Sequence, residues 1–213
     1  MSGIMLNVVG GTFGGLPAIG AAYQGGYFAG QISTAGNGIA DYNLVVGPVS
    51  SAQSTLSWKT TNTGTTGTNS VIDGPTNSSN MNNASHPAGQ FCEGLTIGGF
   101  SDWYMPAKNE LEVCYYNLKP TTTSNNTSWG TNDNSVPTRA SNYTTGDPAQ
   151  TTSTDFKDTG AEDFAAGYYW SSSQIPFPTT SAWQQDFDSG DQSSTYAFKG
   201  NNNRVRAIRR VAV

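Results

Sequence analysis

Gly98-Gly-Phe-Ser-Asp-Trp-Tyr-Met-Pro-Ala-Lys-Asn-Glu-Leu111 is the most informative stretch of this 213-residue chain. Its glycine pair interrupts regular structure, and Pro106 stands just before a helix, where a missing N–H costs nothing. That helix is expected from Ala107 to Leu118, because Leu111, Val113, Cys114 and Leu118 recur at a spacing that buries one face. Lys119-Pro120 ends it, since a residue before proline is pushed out of helical geometry.

A first helix is expected upstream over Ser85 to Leu95, with Ser85 as N-cap and Pro87 in the first turn. His86, the only histidine, reads as a structural residue at that helix start: it has no partner histidine and no accompanying nucleophile motif. Strands surround the helical pair. Gly26 to Ile32 and Asp41 to Gly47 form an opening hairpin about the Gly36-Asn-Gly38 turn. The tail alternates with period two over Tyr168 to Ser173, Ala182 to Phe187, Thr195 to Lys199 and Arg204 to Val211. Asp188-Ser-Gly-Asp191 and Gly200-Asn-Asn-Asn203 supply turns, so a terminal antiparallel meander is expected.

Two long stretches, Ser50 to Asn83 with Trp58 and Thr121 to Asp155 with Trp129 and Tyr143, are rich in Ser, Thr and Asn. Both read as surface loops, the usual home of recognition residues. Met1 to Gln24 is apolar but broken by Gly10-Gly11, Gly14-Gly15 and Leu16-Pro17, which suits an arm that packs on a neighbour. The expected organisation is an α+β domain over residues 25–213 behind an N-terminal attachment arm over 1–24.

Composition narrows the function. Only 12% of residues are charged, yet there are 5 Trp, 10 Tyr and 9 Phe to anchor a core, which separates the chain from charge-driven disorder. A net charge of −5 argues against nucleic acid as a partner. Arg204, Arg206, Arg209 and Arg210 cluster near the end; as alternating strand residues they are expected to pair with the chain's own Asp and Glu rather than form an anion patch. No apolar run reaches the roughly 18 residues of a membrane span, so no insertion is expected. The start carries neither a basic n-region nor a convincing cleavage site. Cys92 and Cys114 fall in the two helices, where buried free thiols are favoured over a disulfide.

The opening stretch resembles the Gly-Phe-x-Asp-Trp-x-x-Pro-x-x-x-Glu-Leu signature of the C-terminal domain of Legionella collagen-like adhesins, a module that recurs in phage tail and virion proteins. Tyr169-Trp-Ser-Ser-Ser173, Ala182-Trp183, Phe187 with Gly190, and Val205-Arg-Ala-Ile-Arg209 match in the same order. The resemblance implies a C-type-lectin-like fold, with two helices, a small antiparallel sheet, long loops on one side and neighbouring termini. It gives the matched residues structural roles. Trp103, Pro106 and Leu111 link the second helix to the sheet, and Trp170 and Trp183 are core or near-core aromatics. Asp102 caps or orients the turn before Trp103, and Glu110 bonds nearby backbone or Arg206.

No catalytic residue is assigned. The late strands lack the cysteine pair of formylglycine-generating relatives, and no Ser-His-Asp order is present. Asp155, Asp158, Glu162 and Asp163 read as surface charge on a loop rather than a glycosidase pair. Asp186, Asp188 and Asp191, and likewise Asn132-Asp133-Asn134, offer oxygen ligands for calcium but match no lectin sugar motif, so no metal or cofactor is expected. The expected function is a phage tail fibre or tail-associated adhesin at the virion surface, binding a host-surface glycan or protein. Its ligand-binding residues are expected to be Trp129, Asn132, Tyr143, Phe177 and Tyr196. A homotrimer is expected, because copies of a shallow polar site gain avidity. The alternative is a capsid decoration, head-fibre or connector protein whose residues 1–24 contact other virion proteins.

Overall fold

The computed structural model describes residues 15–192 and 197–213. Ala22–Tyr23 (β1) and Gly26–Ile32 (β2) form a tight hairpin, and Tyr42–Val46 (β3) pairs on the other side of β2. The chain leaves through a short helix, Val49–Ala52 (α1), into Gln53–Ser57 (β4). Gly74–Ser79 (α2), Pro87–Glu93 (α3) and Lys108–Leu118 (α4) follow, then Ser135–Val136 (β5), which pairs with the end of β2. The last strands are Tyr168–Gln174 (β6), Ala182–Asp186 (β7), Asn202–Arg206 (β8) and Ile208–Ala212 (β9). The result is an α+β domain with two sheets, one in the order β1-β2-β3-β9 and the other in the order β4-β8-β6-β7.

The terminal meander is not what forms. Strands β6 and β7 do pair, but β8 inserts between β4 and β6, and β9 crosses to pair with β3 in the other sheet. Only Ala207 separates β8 from β9, whereas their partners β4 and β3 are separated by residues 47–52. Ala207 accepts from Gly47 N (3.0 Å) and donates to Ala52 O (2.9 Å), so the two crossings are bonded to each other. A methyl group on Gly47 would collide with Ala52, which explains a glycine there. Of the expected strand Thr195 to Lys199, residues 193–196 lie outside the described residues, and Phe198 makes a single bridge to Ser181.

Arg206 explains the crossing. Its side chain is fully buried, and its guanidinium donates to Gly47 O, to Glu162 O and, at 2.8 Å, to the Glu162 carboxylate. Glu162 also accepts from Val49 N and Tyr27 OH, so it joins both sides of the crossing. Of the two partners expected for Glu110, nearby backbone and Arg206, the structure gives the backbone; Arg206 pairs with Glu162, which corrects the reading of Glu162 as surface charge. Glu110 accepts from Ala107 N (2.8 Å), Tyr104 OH (2.5 Å) and Arg210 Nε (2.7 Å) inside the protein. Asp102 does not cap its turn through its carboxylate; it forms a two-point pair with Arg209 at 2.7 and 2.8 Å. Hydrogen bonding from Arg209 holds the Asp102 carboxyl below the usual range. Arg204 is the exception in the arginine cluster, donating to Ala166 O.

Two apolar clusters fill the interior. One packs Leu111, Cys114 and Leu118 of α4 against Leu44, Val46 and Ile208, with Phe164 and Phe187 stacked at 3.9 Å. The other gathers Trp58, Trp103 and Trp170, whose indole N–H groups reach Ser171 O, Phe100 O and Leu56 O. Trp58 corrects the reading of residues 50–83 as surface loop. Side chains such as Asn77, which donates to Ser70 O (2.6 Å), satisfy the backbone of this polar stretch and let it fold inward. The first helix is also shorter than expected. His86, not Ser85, occupies its N-cap, with Nδ1 against Asn83 Oδ1 (2.8 Å) and Nε2 against the Thr65 hydroxyl (2.9 Å). Most of the expected arm over 1–24 lies outside the described residues, but β1, at its end, is an edge strand of the domain.

Two measurements check these assignments. Glu162→Ala leaves a buried guanidinium without its counter-charge and is expected to cost about 3 kcal/mol or more in urea unfolding, part of it recovered by adding Arg206→Met. Burial, with Lys59 and Lys199 nearby, pushes His86 down to about 4 from 6.5, so the folded state holds the neutral ring. Its contribution is complete above pH 6.5 and is lost as pH falls toward about 4. Melting temperature followed across that window should fall less steeply in His86→Gln than in the parent.

Candidate functional site

Helix α4 does more than anchor the core, because its first turn forms one wall of a surface groove of about 420 Å³. Lys108 and Asn109 come from that turn, Trp129, Thr131, Asp133 and Asn134 from the following loop, and Trp183 from β7. The two indoles meet edge to face, with centroids 6.3 Å apart and planes at 80°. Lys108 Nζ stands 5.1 Å from the centre of the Trp183 ring. Burial lowers the pKa of this ammonium, and Glu112 opposes the shift.

The loop holding Trp129 is fixed from below by Asn132. Its backbone exchanges bonds with Arg139 (2.8 and 3.1 Å), and its Oδ1 accepts from Asn134 N (3.0 Å). Its Nδ2 donates to Asn109 O (2.9 Å) and to the Glu112 carboxylate (2.5 Å). Glu112 is itself buried, paired with Arg139, and accepts from Tyr143 OH at 2.6 Å. A carboxylate inside the protein thus organises the outer rim of the groove.

The structure divides the five residues expected to bind ligand. Trp129 is half-buried and lines the groove. Asn132 contributes to the lining but is 2% exposed, and Tyr143 is packed against Tyr115 at 4% exposure; both hold the loop rather than present a surface. Phe177 is 90% exposed on the β6–β7 loop and does not line the groove. Tyr196 lies outside the described residues. Trp183, expected in or near the core, is half-buried, with Ala182 and Gln184 on either side of it in β7 turned inward. Trp103, Pro106, Leu111 and Trp170 are buried.

Lys108, Thr131, Asp133 and Trp183 are among the groove residues that sequence reading did not expect to meet a ligand. The alternation Ala182-Trp183-Gln184 held a signal for Trp183, whereas Lys108 depends on where the distant loop folds back. The acidic turn considered for calcium bonds internally. Asp186 accepts from Asp188 N and the Ser189 hydroxyl, Asp188 from the Thr121 hydroxyl, and Asp191 from Tyr168 OH. Among the described residues, no group of three or more His, Cys, Asp or Glu is placed to hold a metal.

The model of the Lcl C-terminal domain family matches residues 47–209. No curated protein and no solved structure matches the chain. The matched span takes in β4, all three longer helical segments, the groove loop and Trp183, and it stops within β9.

Asn132→Ala removes three side-chain bonds that hold the loop and leaves the buried Glu112 carboxylate short of a donor. A loss of about 1–3 kcal/mol in urea unfolding is expected. Acrylamide quenching of tryptophan fluorescence should rise in the same variant as Trp129 is released.

Proposed function

The chain belongs to the Lcl C-terminal domain family, and from that premise we propose that it is an adhesin-like domain of a phage tail fibre or tail-associated protein, binding host-surface glycan at the virion surface. The observation that carries this reading is the Trp129–Trp183 groove, where aromatic walls stand beside free polar groups on a rim held by buried bonds. Aromatic faces with a few oriented polar groups suit a shallow ligand. Such a site binds weakly alone, and a homotrimer supplies the avidity.

A C-type-lectin-like fold belongs to the same proposal. In its favour, β1 and β9, at the two ends of the domain, belong to the same sheet, as its two edges, and the long segment 119–167 includes the groove loop. The proposal assigns no catalysis. Cys92 and Cys114 are free thiols in separate clusters, and burial pushes both away from the thiolate form. Nucleic acid and membrane are not among the proposed partners; among the described residues no helix is long and apolar enough to cross a membrane.

A second reading, as a decoration, head-fibre or connector protein, is favoured by a different surface. Leu16, 58% exposed, lines an apolar cleft with Ile19, Phe28, Val136 and Pro137, next to the segment expected to contact other virion proteins. Binding to isolated surface polysaccharide of susceptible bacteria separates the two. Trp129→Ala and Trp183→Ala should each weaken it about tenfold, the cost of one stacked aromatic contact. A larger loss from Phe177→Ala than from either tryptophan would move the contact surface to the β6–β7 loop.

A further inference from the structure

Some polar groups of the groove remain free once the fold's own hydrogen bonds are assigned. Among the described residues, Lys108 Nζ makes no hydrogen bond or ion pair; it stands over the Trp183 ring and feels the charge of Glu112 at longer range. Asp133, exposed in the groove lining, accepts no hydrogen bond through its carboxylate, and the Thr131 hydroxyl is likewise free. The groove therefore presents three donors on one ammonium and several acceptors on one carboxylate, in the same lining as an indole pair. Their formal charges cancel.

The arginines elsewhere offer no help to an anionic ligand. Arg139, Arg206, Arg209 and Arg210 are each committed to a carboxylate, and Arg204 lies over Tyr169 while bonding Ala166 O. Binding a polyanion requires several free cations along its length, because each neutralised charge releases counterions. This groove offers one, beside a carboxylate. A sugar without charge has the opposite requirement, since its hydroxyls donate to a carboxylate and accept from an ammonium while its C–H face packs on an aromatic ring.

We infer that the groove takes an uncharged glycan, with Lys108 and Asp133 bonding hydroxyls of a sugar packed against the Trp129–Trp183 pair. The inference rests on the groove being the ligand site, as proposed above, and adds the chemical class of the ligand.

The test uses the full chain and biolayer interferometry on immobilised dextran, mannan and β-1,3-glucan, with heparin and polygalacturonate as charged counterparts. Binding to at least one neutral polymer is expected, changing less than about twofold between about 50 and about 500 mM NaCl. Asp133→Asn and Lys108→Met should each reduce it about tenfold, from loss of charge-assisted hydrogen bonds. Asp133 is exposed, so its variant keeps the fold, which far-UV circular dichroism checks. Binding confined to heparin or polygalacturonate, and lost at the higher salt, overturns the inference; if Trp129→Ala and Trp183→Ala abolish that binding, the groove still stands as the site. Binding that neither tryptophan variant disturbs removes the groove as the site. No binding to any of the five polymers overturns the inference.

Discussion

A buried guanidinium sets the terms for this structure. Arg206 lies at the point where the chain passes from one sheet to the other, without solvent contact and held by Gly47 O and Glu162. Taking such a charge out of water is costly unless it is paired and fully hydrogen-bonded. Sheet packing, the 159–164 loop and the Gly47–Ala52 crossing must all be in place to provide those bonds. The neighbouring arginines extend the arrangement. Arg209 fastens Asp102 in the loop before α4, and Arg210 fastens Glu110 on α4 itself. The two terminal strands thereby tie together both sheets and the longest helix.

Much of the local structure is legible in the sequence. Helix α4 is readable because its apolar spacing and its flanking prolines, Pro106 and Pro120, act within a dozen or so residues of one another. The β2–β3 and β6–β7 hairpins are readable for the same reason. Strand order is not, since nothing near Arg206 states that β8 will insert between β4 and β6; that follows from a partner, Glu162, more than forty residues away. Residues 50–83 mislead for a different reason. Serine, threonine and asparagine usually signal solvent, but here they bond the backbone of a folded-in segment that carries a buried tryptophan.

The candidate site divides along similar lines. Trp129 draws attention as a large aromatic in a polar loop. Asn132 and Tyr143 share that loop, but they turn toward Glu112, a buried carboxylate on α4 that no local pattern marks. Trp183 belongs to a matched block and so suggests a core or near-core place, although β7 buries Ala182 and Gln184 on either side of it and leaves it half-buried at the groove. A signature motif reports what a fold needs; which of its aromatics also faces a ligand depends on the pleat and on loops that arrive from elsewhere.

The double crossing has a consequence for biosynthesis. Strands β8 and β9 close both sheets, yet they are translated after every other element of the described chain. While they are still being made, β3 lacks its second partner, β4 lacks β8 and Glu162 lacks its cation. A nascent chain therefore cannot complete either sheet in stages, and the domain must assemble as a unit once residues 202–212 have emerged. Exposed strand edges persist until that moment, which makes the interval of synthesis, rather than the finished protein, the period of greatest risk for aggregation.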